Sequence, residues 1–124
     1  MSKRSHLQQT LIATGFPYRM NLEHIDRYLQ MLRAVMLETA GVRRPGSAAL
    51  DLCYVASGRV DGFWELGLSK WDVAAGALII REAGGRISDF RGTDGFLDSG
   101  HIVAGNPKIY AALSKLLAPY AHDL

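Results

Sequence analysis

Cysteine is almost absent. Cys53 is the only one in 124 residues, so no disulfide can close within the chain and no thiolate cage can hold a metal; this usage fits a reducing, cytoplasmic setting. An excess of charge of one sign is also lacking. Lys and Arg number 14 against 12 Asp and Glu, a net +2, and the one basic cluster, residues 3–6, is short, whereas nucleic-acid or membrane surfaces need basic groups massed on one face. No long hydrophobic run is present either. The longest, residues 73–80, stops at Arg81, far below the roughly 18 residues of a membrane span. The opening MSKRSHLQQT has no apolar stretch and no small-residue cleavage site, so export is not expected. Repeats, low-complexity tracts and linkers are missing as well. What remains, 48% hydrophobic and 21% charged residues, is the composition of an ordinary globular protein long enough for one core.

Residues 10–13 are a short apolar run that meets the breakers Gly15 and Pro17, which predicts a buried strand entering a loop. Leu22, Ile25, Leu29, Leu32 and Met36 then recur at steps of three and four, with Asn21 placed to cap a helix and Gly41 to stop it. Ser47 caps a second predicted helix with Ala48, Ala49, Leu52, Cys53 and Ala56 on its apolar face and Gly58 at its end. Residues 59–65 alternate through Val60, Phe63 and Trp64 and predict a strand. Asp72 opens a third helix, packed through Ala75, Leu78, Ile79 and Ala83 and closed by Gly84 and Gly85. Residues 86–90 and 101–104 are short strand candidates around a Gly-rich turn at 92–95. Asn106 as cap and Pro107 at the first position start a last helix, whose stripe is Ile109, Tyr110, Leu113, Leu116, Leu117 and Tyr120. The alternation of strands and helices predicts an α/β fold, a sheet layered with helices.

The most informative stretch for chemistry is WDVAAGALIIREAGG, residues 71–85. It sets the Asp72 carboxylate in the first turn of a helix, where the dipole and free N–H groups favour negative charge. The small residues Ala74, Ala75 and Gly76 let neighbouring backbone come close, so Asp72 can be aimed at a metal or a hydroxyl. Each candidate also has a plainer reading. Ser47 caps a helix whether or not it binds a ligand, and Glu65 and Arg43 suit a solvated strand end and a surface ion pair. Cys53 reads as a small core residue, and Phe63, Trp64 and Trp71 read as core. His6, His24, His101 and His122 show no metal-ligand spacing.

The 71–85 stretch resembles the C-terminal signature of the inositol monophosphatase family, in which a tryptophan-aspartate pair opens a helix of alanine and glycine that alanine-glycine-glycine closes. GSAALDLCYVASGRVDGFWELGLSKWD, residues 46–72, resembles the same family at the same spacing, and TGFPY, residues 14–18, resembles its strand-to-loop segment. Three motifs in order carry far more weight than one. Within the family the likeness is to bacterial inositol-1-monophosphatases of the extragenic-suppressor branch.

The resemblance implies a five-layer α-β-α-β-α fold, of which residues 1–124 are the C-terminal half, without the N-terminal metal-binding half. It implies lithium-sensitive, Mg2+-dependent hydrolysis of inositol monophosphate by an activated water. A cytoplasmic homo-oligomer, commonly a dimer, is implied too. Asp72 matches the aspartate that holds a metal and touches the substrate ring. Gly46, Ser47 and Ala48 match a glycine-threonine-alanine stretch that contacts inositol hydroxyls, Glu65 a glutamate that accepts from them, and Arg43 an arginine near the substrate. A polyol is held by short groups that donate and accept in pairs, and a hard cation by carboxylate oxygens.

Two other readings stay open. Bacterial members of this branch are also linked to RNA polymerase, which implies a non-catalytic interaction protein; and sister phosphatases act on fructose bisphosphate or adenosine bisphosphate. The family's aspartate-proline-x-aspartate-glycine-threonine loop is not in the sequence, and Asp61-Gly62 and Asp94-Gly95 are bare pairs. Two-metal phosphoryl chemistry needs several carboxylates around ions about 3.5 to 4 Å apart. One convincing ligand cannot supply that, so the expectation is a chain inactive alone, with an apolar face left open.

Overall fold

A computed structural model of the chain describes residues 1–16 and 22–124, apart from the side chains of residues 22 and 23. The expected breaker Pro17, the rest of the TGFPY segment beyond Phe16, and the cap Asn21 lie outside the described residues. Along the chain run β1 (Leu11–Thr14), α1 (Leu22–Glu38), β2 (Gly41–Arg43), α2 (Ala48–Ser57), β3 (Gly62–Glu65) and α3 (Lys70–Glu82). They are followed by β4 (Arg86–Ser88), α4 (Phe96–Ser99), β5 (Ile102–Gly105) and α5 (Pro107–Leu117). β2 and the one-turn α4 were not expected: three residues and four residues are too short for a periodicity to show.

The described strands form one mixed sheet in the order β2-β1-β3-β5-β4. β1 pairs parallel with both β2 and β3, in the register Ile12↔Gly62 and Thr14↔Trp64. β5 runs antiparallel between β3 and β4, with Trp64↔Val103 and Ile87↔Ala104. Successive strand residues point to opposite faces, and here both faces are buried. Ile12, Trp64 and Val103 pack with Tyr28, Met31 and Val35 of α1 and Ile109, Leu113 and Leu117 of α5. Ala13, Phe63, Ile102 and Ala104 pack with Leu52 and Val55 of α2 and Val73, Ala77 and Ile80 of α3. Helices therefore cover both sides of the sheet, the layered α/β arrangement that the alternation predicts.

Caps agree with the sequence where they are local. Ser47 accepts from Leu50 N–H, and Asn106 accepts from Ile109 N–H with Pro107 behind it. The buried faces of two helices differ from those expected. On α1, Leu29 and Met36 are exposed while Tyr28, Met31 and Val35 are buried. Tyr28 stacks on Trp64 with ring centres 5.8 Å apart and shares a hydrogen bond with Thr14 Oγ1 at 2.8 Å. A satisfied hydroxyl makes this large ring the better group to bury, and the helix turns accordingly. On α3, Val73, Gly76, Ala77 and Ile80 face inward, and Ala75, Leu78 and Ile79 face out. A Cβ on Gly76 would stand 2.1 Å from Leu52 Cδ1, so α3 approaches α2 on its smallest residue. Trp71, expected in the core, is 84% exposed. α2 buries Val55 instead of Ala49, and Cys53 is only partly buried.

Candidate functional site

The three parallel strands end on the same side of the sheet, and each hands over to a loop there: Gly15 and Phe16 after β1, residues 44–47 after β2, and residues 66–69 after β3. The carboxyl ends of parallel strands are where α/β sheets collect ligand groups. A cavity of about 540 Å³ opens at this point, lined by Gly15 and Phe16, by Arg44, Gly46, Ser47 and Ala48, and by Glu65, Leu68 and Asp72. Of the residues singled out in the sequence, Gly46, Ser47, Ala48, Glu65 and Asp72 thus share one space. Arg43 does not line it; its guanidinium donates to the carbonyl of Val42 at 3.0 Å. Arg44 stands in the wall instead, with its guanidinium 4.5 Å from the centre of the Phe16 ring.

Two acids dominate the wall. Glu65, the last residue of β3, is half-buried, and its carboxylate lies directly against the Gly15 backbone: a Cβ at Gly15 would be 1.9 Å from Oε1. Only glycine leaves room there. Burial first, then the charges of Asp51 and Asp72, push the Glu65 carboxyl up to about 7, against the opposing charge of Arg44. Asp72 occupies the first turn of α3, as expected, and is exposed. The Ser69 hydroxyl donates to its Oδ2 at 2.9 Å while Asp72 N–H donates back to Ser69 Oγ at 3.4 Å, a reciprocal cap that fixes the carboxylate. Behind the wall, Asp51 is 1% exposed, and burial raises its carboxyl to about 6.

Sequence reasoning missed what holds the loop before α3. Gly67 N–H donates to His101 Nδ1 at 3.1 Å and Leu68 N–H to the Gly100 carbonyl at 2.9 Å. Burial, then the nearby His24 and Arg27, lower the His101 pKa, which keeps the ring neutral and Nδ1 an acceptor. His24 and His101 meet with ring centres 6.2 Å apart. No spacing signal connects residues so distant in sequence. Arg44 and Leu68 were missed as well, because nothing local tells a wall residue from a loop residue.

The fit to a metal is partial. Asp72 presents fixed, solvent-facing oxygens of the kind a hard cation takes. Among the described residues, however, no group of three His, Cys, Asp or Glu side chains converges to hold an ion, so these residues do not make a metal centre by themselves. No described helix is long and apolar enough to cross a membrane.

The chain resembles known proteins over nearly its whole length. The family model described as the inositol monophosphatase family matches residues 1–123. The Nus factor SuhB of Pseudomonas aeruginosa is 54% identical over 121 residues, 97% of this chain and 45% of its own length. The inositol-1-monophosphatase of Mesorhizobium japonicum is 56% identical over 112 residues, 90% of this chain and 42% of its own. The crystal structure of the extragenic suppressor protein suhB from Bartonella henselae matches with a TM-score of 0.85 at 47% identity, over 94% of this chain and 45% of that one. The chain therefore spans about half the length of the curated relatives it matches.

Proposed function

The chain belongs to the inositol monophosphatase family, and on that premise we propose that it forms the polyol-recognising side of a Mg2+-dependent phosphomonoesterase acting on inositol monophosphate, as the C-terminal half of that enzyme. What carries the reading is the gathering of Gly46, Ser47, Ala48, Glu65 and Asp72 around one cavity at the carboxyl ends of three parallel strands. In this reading Glu65 accepts from ring hydroxyls. Ser47, whose oxygen receives Leu50 N–H, keeps its own proton to donate, and Arg44 supplies further donors beside Phe16. Asp72 offers an oxygen ligand to the ion and contacts the ring, and the ion's other ligands come from outside these residues. Arg43, which the resemblance also implicates, acts only if the 43–44 segment turns.

The test takes the chain with inositol 1-phosphate and Mg2+, with and without lithium, and follows both phosphate release and the amide spectrum. Negligible turnover together with myo-inositol shifts at Ser47, Glu65 and Asp72 is the expected result. Turnover near that of a full-length relative overturns the half-site account, and a panel of phosphomonoesters that all leave the cavity unperturbed overturns the substrate account. A bisphosphate that outcompetes inositol 1-phosphate reassigns the enzyme to a sister phosphatase.

One observation favours a second reading. Relatives in Pseudomonas aeruginosa and Salmonella typhimurium carry the name Nus factor, which supports a transcription-associated interaction. Binding of purified RNA polymerase to the chain, unaffected by myo-inositol, is the result that favours it.

A further inference from the structure

We propose that His101 is a positioning residue of the cavity: by accepting the Gly67 N–H on Nδ1 it pins the loop after β3, and so places Leu68 in the cavity wall and the Ser69 hydroxyl against the Asp72 carboxylate. The proposal deepens the reading above and rests on it only for the identity of the ligand.

The antiparallel pairing of β3 with β5 ends at Glu65↔Ile102, so the residues just before β5 lie beside those just after β3. Two loop amides are taken up there. Gly67 N–H donates to His101 Nδ1 at 3.1 Å, and Leu68 N–H to the Gly100 carbonyl at 2.9 Å. A Cβ at Gly100 would stand 2.2 Å from the Leu68 carbonyl oxygen, so the two backbones are in contact. The 99–101 segment is itself fixed. Gly100 N–H donates to the Phe96 carbonyl at 2.8 Å and His101 N–H to Ser99 Oγ at 3.1 Å, and Phe96 is fully buried in the core. The other end of the loop carries cavity groups: Leu68 lines the space, and Ser69 donates to Asp72 Oδ2 while accepting Asp72 N–H. Of the bonds between the fixed corner and the loop, the one to His101 is made by a titratable side chain.

An imidazole accepts on Nδ1 only while it is neutral. Its surroundings keep it neutral at pH 7. Burial foremost, then His24 and Arg27 of α1, lower the His101 pKa below the ordinary 6.5, and Asp89 after β4 opposes them. The His24 ring centre is 6.2 Å away. Arg91, Asp98 and Asp123 line, together with Asp89 and His101, a second cavity of about 510 Å³. Asp89 is already engaged by the N–H groups of Arg91 and Thr93, both at 2.9 Å, and by the Thr93 hydroxyl at 2.6 Å. As pH falls through the lowered folded value, the ring takes a proton on Nδ1 and two donors face each other. The loop is then released.

The experiment compares H101A, H101N and H101Q with the parent by NMR, in the 124-residue chain without metal. Asn sets an acceptor oxygen where Nδ1 stands, and Gln where Nε2 stands. In the parent at pH 7 the imidazole nitrogen shifts are expected to show Nδ1 bare and Nε2 protonated. Protection of the Gly67 amide against hydrogen exchange should fall about tenfold in H101A and H101Q, as for one lost hydrogen bond, and return in H101N. The Asp72 carboxyl carbon should shift with it. Between pH 7 and 5 the parent should lose this protection and H101N should keep it. Unchanged Gly67 protection in H101A, or a protonated Nδ1 at pH 7, overturns the proposal. Should H101A fail to fold, H101N and H101Q decide it, and equal protection in those two overturns it. Myo-inositol should bind H101A about fivefold more weakly than the parent and H101N equally well; equal binding by the parent and H101A removes the positioning role. A parent that ignores myo-inositol removes the polyol assignment instead, while Gly67 and Asp72 still report on the link.

Discussion

At the start of β3, Asp61 is 1% exposed and its carboxylate is fully engaged: the Ser2 hydroxyl and the Arg4 guanidinium, at 3.2 Å, reach Oδ1, and Leu11 N–H donates to Oδ2 at 2.8 Å. Asn106 then holds the carbonyls of Ser2 and Arg4 at 3.0 and 2.8 Å. At the far end of the same strand the acids are treated differently. Asp51 is buried to the same degree with Oδ1 unpartnered, and Glu65 shares a half-closed cavity with Asp72. A partnered acid ties the N-terminal segment to the start of the sheet. Unpartnered acids store unfavourable energy, and that is typical of groups kept for a ligand.

The largest effect expected from this contrast is on stability. Asp61→Ala leaves the Leu11 N–H, the Ser2 hydroxyl and the half-exposed Arg4 without their acceptor, and should cost about 3 kcal/mol in urea unfolding; a loss under about 1 kcal/mol would erase the difference between the two ends. Asp51→Asn should act in the opposite direction. The folded-state value of about 6 lies above the ordinary 3.8, so the folded chain holds the proton more tightly than the unfolded one. The penalty is absent below about pH 4, grows as pH rises from 4 to 6, and is then constant. The variant should therefore be more stable than the parent by about 1–2 kcal/mol at pH 7 and indistinguishable at pH 4. Destabilisation at pH 7 would mean that Asp51 is structural, like Asp61.

Smaller effects sharpen the comparison at the cavity and on the surface. Ser47→Ala removes a cap whose hydrogen bond is long, 3.4 Å, and should cost about 0.5–1 kcal/mol by thermal unfolding. If it also abolishes the myo-inositol shifts at Glu65, Ser47 serves the ligand as well as the helix. Smallest of all, Trp71→Ser with Leu78→Ser, both on the exposed side of α3, should change monomer stability by less than about 0.5 kcal/mol. Exposed apolar stripes of this kind mark interfaces, so the same pair should shift sedimentation at micromolar concentration toward monomer. An unchanged sedimentation profile removes α3 from any self-association.

Much of the fold was legible because its signals are short-range. Ser47 and Asn106 act on backbone N–H groups three residues away, Pro107 begins α5, and Gly58 and Gly84 follow helix ends in left-handed geometry. Asp72 in a first turn and Glu65 at a strand end were readable for the same reason. Their common cavity lies where the parallel strands end and has no local signal in the sequence. Nothing in the sequence marked Asp51, whose neighbours Leu50 and Leu52 make it look like one polar position on an ordinary helix.

The sequence by itself determined which of the longer segments become strands and helices, where most of them start and stop, and which polar residues stand at several of their ends, since caps, breakers and periodicities act within a few residues. Only the tertiary structure decided which face each helix buries and which side chains enter the cavity. Those choices depend on contacts between segments far apart in the chain: Tyr28 on Trp64 turns α1, Gly76 against Leu52 turns α3, Gly15 makes room for Glu65, and Phe16 stacks with Arg44. Such contacts exist only once the sheet has brought the segments together.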